Sequence, residues 1–167
     1  ARGSIIDRRM TEVKLANVLA KYPDRKCKVY LLHGDLTESE MTSLYRHSKI
    51  KAMISASHGE GFGLPLFEAA INEMPIVAPG WSGHLDFLNI PVRASGKSNK
   101  MKKKELFAKV DFTIQPVQKS AVWGDIIISD SMWCFPKEAS FRNQIRNVQK
   151  NYGMYKSWAK KLRKYVE

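Results

Sequence analysis

Two carboxylates stand eight positions apart in Glu60-Gly61-Phe62-Gly63-Leu64-Pro65-Leu66-Phe67-Glu68, on either side of a glycine-rich turn. A carboxylate accepts hydrogen bonds from hydroxyl groups, and one carboxylate can take both hydroxyls of a vicinal diol. A turn that runs into a helix N-terminus leaves backbone N–H groups without intrahelical acceptors, beside the positive end of the helix dipole, and so suits an anion such as phosphate. The pattern therefore offers N–H groups to a phosphate and carboxylates to the hydroxyls of a sugar.

The neighbouring segments are those that would hold such a turn. Lys51-Ala52-Met53-Ile54-Ser55-Ala56-Ser57 reads as a short buried strand ending in small polar residues. Leu64 to Glu73 reads as a helix with Pro65 in its first turn, where no N–H is needed. Glu68 falls one turn into that helix, and its side chain tilts back toward the N-terminus. Elsewhere, helices are expected over Asp7–Tyr22, from a Thr37/Glu40 capping box to His47, around His84–Leu88, and over about Lys137–Lys150 and Tyr152–Val166. Strands are expected at Cys27–His33, Ile76–Ala78 and Pro91–Ala94. Phe112–Val117 reads as extended, and Trp123 to Trp133 as apolar but irregular. Strands alternating with helices argue for an α/β layered domain with a mainly parallel sheet, in which ligands bind at the carboxyl ends of the strands.

With its glycines and proline, the spacing resembles the Glu-x7-Glu motif of retaining glycosyltransferases of the two-Rossmann-domain (GT-B) fold, family 4 in particular. Pro75-Ile76-Val77-Ala78-Pro79 is similar to that family's next strand, and Ser82-Gly83-His84 stands where its glycine-rich donor loop is expected. Gly34-Asp35-Leu36, Thr37 to Met41 and Leu44-Tyr45 resemble the loop and helix that precede the motif strand. The match runs from about Cys27 to Leu88. The resemblance implies a Rossmann-like C-terminal domain that binds a nucleotide-sugar for retaining transfer to an acceptor hydroxyl. It implies that Glu60 is the catalytic carboxylate, near the reacting carbon of the transferred sugar. It places the backbone of Gly61, Phe62, Gly63 and Leu64 against the sugar and distal phosphate, and Glu68 on the nucleotide ribose. Gly34 and Asp35 fall near the base, and Ser82 and Gly83 near the diphosphate. No metal and no cofactor beyond the nucleotide-sugar substrate is implied. His58, beside Glu60, is placed to hydrogen-bond it.

Composition agrees with a single globular domain over residues 1–167: 44% of residues are hydrophobic and 26% charged. No apolar run reaches the roughly 20 residues that span a bilayer, and no signal-peptide pattern is present, so a cytoplasmic protein is expected. Cys27 and Cys134 read as reduced packing residues, Cys27 opening a strand, and the histidines have no ligand spacing with them. A net charge of +12 invites a polyanion. Its cations concentrate in Lys97–Lys104, read as a solvated loop, and in Lys156–Lys164, read as the outer side of an amphipathic helix. That distribution favours solvated faces, with contact to an anionic membrane surface as the alternative; a nucleic-acid interface has no interleaved basic and aromatic face to support it.

The family's domain opens with strands followed by an Arg and a Lys for the diphosphate. Arg2, Arg8 and Arg9 follow no strand and are not assigned that role. The expectation is a C-terminal piece of a longer chain, truncated of its first strands and of the acceptor-binding domain, and inactive in transfer by itself. The competing expectations are a non-catalytic nucleotide-binding or scaffold module and a short stand-alone fold. Without the family's first two strands, the Cys27–His33 and Lys51–Ser57 strands either pair directly or leave open edges, and self-association through strand pairing, or a partner chain that provides the missing strands, is expected.

Overall fold

A computed structural model describes residues 4–94 and 100–167 of the chain, and these divide into two compact units, the first ending at Met41 and the second beginning at Thr42. In the first unit, α1 (Ile5–Ala20) is opened by Ser4, whose hydroxyl accepts the Asp7 N–H at 3.1 Å. No residue of α1 is buried. The strand expected at Cys27–His33 is not formed: Val29, Tyr30, Leu31 and Leu32 are exposed, and no ladder hydrogen bond from the described residues reaches the segment. Apolar β-formers supply propensity, but a strand exists only where a neighbour completes its ladder. Cys27 is exposed for the same reason, whereas Cys134 is buried.

The helix α2 (Glu38–Arg46) bridges the end of that segment and the start of the second unit. Its capping box is the expected one. The Thr37 N–H donates to Glu40 Oε2 at 2.8 Å, and the Glu40 N–H donates back to Thr37 Oγ1 at 3.3 Å. The Thr37 N–H, together with the Thr37 hydroxyl that donates to Glu40 Oε2 at 2.9 Å, holds the Glu40 carboxyl below its ordinary range.

The second unit continues through β1 (Met53–Ile54), α3 (Leu64–Ile71), β2 (Ile76–Pro79), α4 (Leu85–Leu88), β3 (Asn89–Arg93), β4 (Met101–Glu105), β5 (Ala108–Val110), β6 (Phe112–Pro116), β7 (Met132–Pro136), α5 (Glu138–Lys150) and α6 (Tyr152–Val166). The central sheet is parallel, in the order β1-β2-β5, with Met53 beside Ile76 and Val77 beside Ala108. The β1 ladder is short, yet its hydrogen bonds extend to Ser55, whose N–H donates to Val77 O at 2.9 Å. Every residue of β2 is buried, as a central parallel strand covered on both faces requires.

Alternation along β2 sorts the core. Ile76 and Ala78 join Leu66, Ala69 and Ala70 of α3, Phe87 and Leu88 of α4 and Leu162 of α6 in one cluster. Val77 points the other way, into a cluster with Ala108, Val110, Val148 of α5 and Tyr155 of α6. Helix α6 thus reaches both clusters through Tyr155, Ala159 and Leu162, spaced four and three residues apart as one helical stripe. The fold is mixed α/β with helices on both faces of a parallel sheet.

Two antiparallel ribbons flank that sheet, β3 with β4 and β6 with β7. The first corrects the reading of Lys97–Lys104 as a loop. Lys97 lies outside the described residues, but Lys102, Lys103 and Lys104 belong to β4, opposite Val92, Pro91 and Ile90. The ribbon satisfies its backbone by pairing, so strand formation here needs no buried face, and all three lysines remain in water. The second ribbon takes Trp133 out of the irregular Trp123–Trp133 stretch and into a strand.

Leu162 is buried in the first cluster and sits on the helix that spans both. Leu162→Ala should lower the unfolding free energy by about 2–5 kcal/mol, whereas Lys103→Ser on the exposed ribbon should change it by less than about 0.5 kcal/mol. Equilibrium denaturation in urea measures both.

Candidate functional site

The loops that leave the carboxyl ends of β1 and β2 lock onto each other. Ser82 Oγ accepts the Glu60 N–H at 3.0 Å and donates to Glu60 O at 2.7 Å, and the Gly83 N–H donates to the same carbonyl at 3.1 Å. The approach is so close that a Cβ on Gly83 would stand 1.9 Å from the Gly61 carbonyl oxygen. Ser82 adopts a left-handed φ of 85°, a conformation that L-residues rarely hold and that its two bonds to Glu60 over-determine. Glu60, Gly61, Ser82 and Gly83 are therefore parts of one assembly, although they come from two loops.

Gly63 completes the turn. Its φ of 88° belongs to the left-handed region, and a Cβ there would meet His84 Cβ at 3.1 Å. Gly63 O accepts from the N–H groups of Leu66 and Phe67, which starts α3 with Pro65 in its first turn. The N–H groups of Gly61, Phe62, Gly63 and Leu64 have no acceptor among the described residues. Together with the α3 dipole they form a concentration of positive potential at the carboxyl end of the sheet. Phe62 leans on Phe67 and Phe87, with ring centroids 5.2 and 5.1 Å away, and Leu64 is exposed, so neither side chain is needed to fill the core.

Glu68, half-buried in the first turns of α3, is held from α2: the Tyr45 hydroxyl donates to Glu68 Oε2 at 3.0 Å and reaches Pro65 O at 3.3 Å. Burial, with the neighbouring Glu68 carboxylate adding to it, pushes the Tyr45 hydroxyl up to about 12. Gly34, with a φ of 128°, and Asp35 lie in the first unit, in the loop before α2.

His58 does not bond Glu60. Its Nδ1 donates to the Cys134 carbonyl at 2.7 Å, the Cys134 N–H returns a bond to His58 O at 3.2 Å, and the ring stacks on Trp133 at 4.8 Å with Phe135 4.7 Å away. Because a carbonyl can only accept, Nδ1 carries the proton in this arrangement. The β7 strand thereby fixes the start of the Glu60 loop. His84 is buried behind the turn and donates from Nε2 to Pro79 O at 2.8 Å.

Tyr45 and the Trp133-Cys134-Phe135 support are absent from the sequence-derived site. The alternation of Trp133 and Phe135 about a buried Cys134 is a strand signal that points two aromatic rings to one side. Tyr45 has no comparable signal, because its partner lies 23 residues away on another helix. A cavity of about 460 Å³, lined by Tyr45 and by Arg46, Lys51, Glu73, Lys156 and Arg163 among others, opens near the residues that lead into β1 and β2. There Lys156 Nζ donates to Glu73 O at 2.7 Å, next to the negative end of α3. Among the described residues no three His, Cys, Asp or Glu side chains group as metal ligands, and no helix is long and apolar enough to cross a membrane.

Three curated proteins, each named serotype-specific mannosyltransferase WbdA and from Escherichia coli, are 38% identical to this chain over 63 residues, a span that covers 38% of this chain. The chain matches only 7% of the length of these relatives. No family model matches the chain, and no solved structure matches it. The similarity supports a relationship to glycosyltransferases.

The two glycines of the interlock make opposite predictions. Gly83→Ala drives a methyl group into the Gly61 carbonyl and should destabilise the fold by about 1–3 kcal/mol, with the loops forced apart. Gly61→Ala has nothing within 4 Å of its new Cβ and should change stability by less than about 0.5 kcal/mol. Thermal melts of the two variants side by side give the comparison.

Proposed function

We propose that this chain is the sugar-nucleotide-binding part of a retaining glycosyltransferase of the GT-B fold, and that the interlocked loops and the α3 N-terminus form its site. The observation that carries this reading is the set of unpartnered N–H groups at Gly61–Leu64, beside Glu60 and one helical turn from Glu68. Those N–H groups take the phosphate nearest the sugar. Glu60 takes hydroxyls of the sugar near its anomeric carbon, and Glu68 takes the ribose hydroxyls. Ser82 and Gly83 belong to the diphosphate wall. The resemblance to a mannosyltransferase favours a mannosyl unit as the group transferred.

In the reaction the bond from the anomeric carbon to the distal phosphate oxygen breaks, and a bond to the acceptor hydroxyl oxygen forms on the same face. The hydroxyl proton passes to the departing phosphate oxygen. Charge develops on that phosphate as the bond breaks, and fixed N–H dipoles already aimed at it stabilise the transition state more than the bound substrate.

A second reading, a non-catalytic module for polyanions or anionic membranes, has the exposed lysines of β4 in its favour. Titration with UDP and with GDP separates the two. The proposed site gives saturable binding of a nucleoside diphosphate that Glu68→Ala weakens by at least about tenfold, while changing all of Lys102, Lys103 and Lys104 to Ser leaves it intact. Binding that falls steeply with salt, is abolished by the lysine changes and is indifferent to Glu68 contradicts the proposal.

A further inference from the structure

We infer that Tyr45 is a positioning residue of the nucleotide ribose site: its hydroxyl fixes one oxygen of Glu68 so that the other is presented to the ribose diol. This rests on the reading of Glu68 as the ribose ligand and adds a residue from a different helix to that site. The geometry is specific. Tyr45 Oη lies 3.0 Å from Glu68 Oε2 and 3.3 Å from Pro65 O, so a single hydroxyl ties α2 to both the first turn of α3 and the carboxylate that follows it.

A glutamate side chain has several rotatable bonds, and holding it in one geometry loses conformational freedom. Binding a ligand through a free Glu68 would incur that loss at the moment of binding. With Oε2 already held, the loss falls on folding, and the site is preorganised. The Tyr45 hydroxyl is suited to this duty because it is half-buried and stays protonated up to about pH 12, so it is always a hydrogen-bond donor to Glu68 and never a competing anion. A carboxylate offers about four lone-pair sites. With one filled by Tyr45, Oε1 retains both of its own and Oε2 one more, enough for two adjacent ribose hydroxyls. The arrangement therefore predicts preference for a ribonucleotide over its 2′-deoxy counterpart, with Tyr45 as one source of that preference.

The test compares UDP and GDP with their 2′-deoxy forms by calorimetric titration of the wild-type chain, Tyr45→Phe and Glu68→Ala. Tyr45→Phe keeps the ring and removes one oxygen, and a thermal melt verifies that the variant is folded. The expected result is that wild type binds the ribonucleotide about tenfold more tightly than the deoxy form, and that Tyr45→Phe loses about tenfold in ribonucleotide affinity. The variant's two affinities converge, with little change for the deoxy ligand. A purely structural Tyr45 would weaken both ligands alike, and that outcome overturns the inference. Wild-type protein that binds ribo and deoxy forms equally overturns it without any variant. If Glu68→Ala abolishes binding while Tyr45→Phe matches wild type, this inference fails and the proposed function stands. If wild type binds neither nucleotide, both fail.

Discussion

The contact on which the site depends is the one between the Glu60-Gly61 peptide and the Ser82-Gly83 peptide. Three hydrogen bonds and a glycine without a side chain bring two loops together at a distance where a methyl group would not fit. Each loop alone is a strand-to-helix connection with ordinary freedom. Joined, they set the direction in which the α3 N-terminus and its unpartnered N–H groups face, and they set the place of the Glu60 side chain. The left-handed backbone at Ser82 and Gly63 is the local cost, and strain of this order, about 1–3 kcal/mol for a non-glycine residue, persists only where neighbours over-determine it.

The rest of the second unit explains why the two loops meet. They follow β1 and β2, which pair in parallel, so both chains leave the sheet at the same end and side by side. β2 is buried on both faces because α3, α4 and α6 cover one and α5 with part of α6 covers the other. The β6–β7 ribbon then contributes from outside the sheet, holding His58 by a hydrogen bond and two aromatic rings. Positioning of the proposed ligand groups therefore draws on α2, β1, α3, β2 and β7 together.

Much of this was legible in the sequence where local chemistry decides the structure. Pro65 after Gly63 marked the start of α3, Thr37 and Glu40 marked the start of α2, and Trp158, Leu162 and Tyr165 at helical spacing marked α6, although the stripe it buries is Tyr155, Ala159 and Leu162 and Tyr165 stays exposed. The failures occurred where structure depends on partners that sequence does not name. Cys27–His33 has the composition of a strand and no pairing neighbour among the described residues, so it stays irregular. Lys102 to Lys104 have the composition of a loop and a neighbour in β3, so they form a strand. β5, only three residues long and carrying Lys109 at its centre, has no strand signal of its own although it completes the parallel sheet. Glu60 and Gly63, singled out by the motif, and Ser82 and Gly83, singled out by the resemblance, do come together in one assembly. Tyr45 and Trp133 were not, since their roles arise from contacts 23 and 75 positions away, with Glu68 and His58. His58 was misread for the same reason, its partner being a backbone carbonyl on a distant strand.

The central claim is that the interlocked loops bind the diphosphate of a nucleotide. The direct measurement is a backbone amide NMR titration of the wild-type chain with UDP and with GDP at physiological ionic strength. The account predicts that the largest shift changes fall on the amides of Gly61, Phe62, Gly63, Leu64 and Gly83, and that they saturate with one affinity. Changes that instead follow Lys102 to Lys104 and the basic face of α6, without saturation and fading as salt is raised, would contradict it.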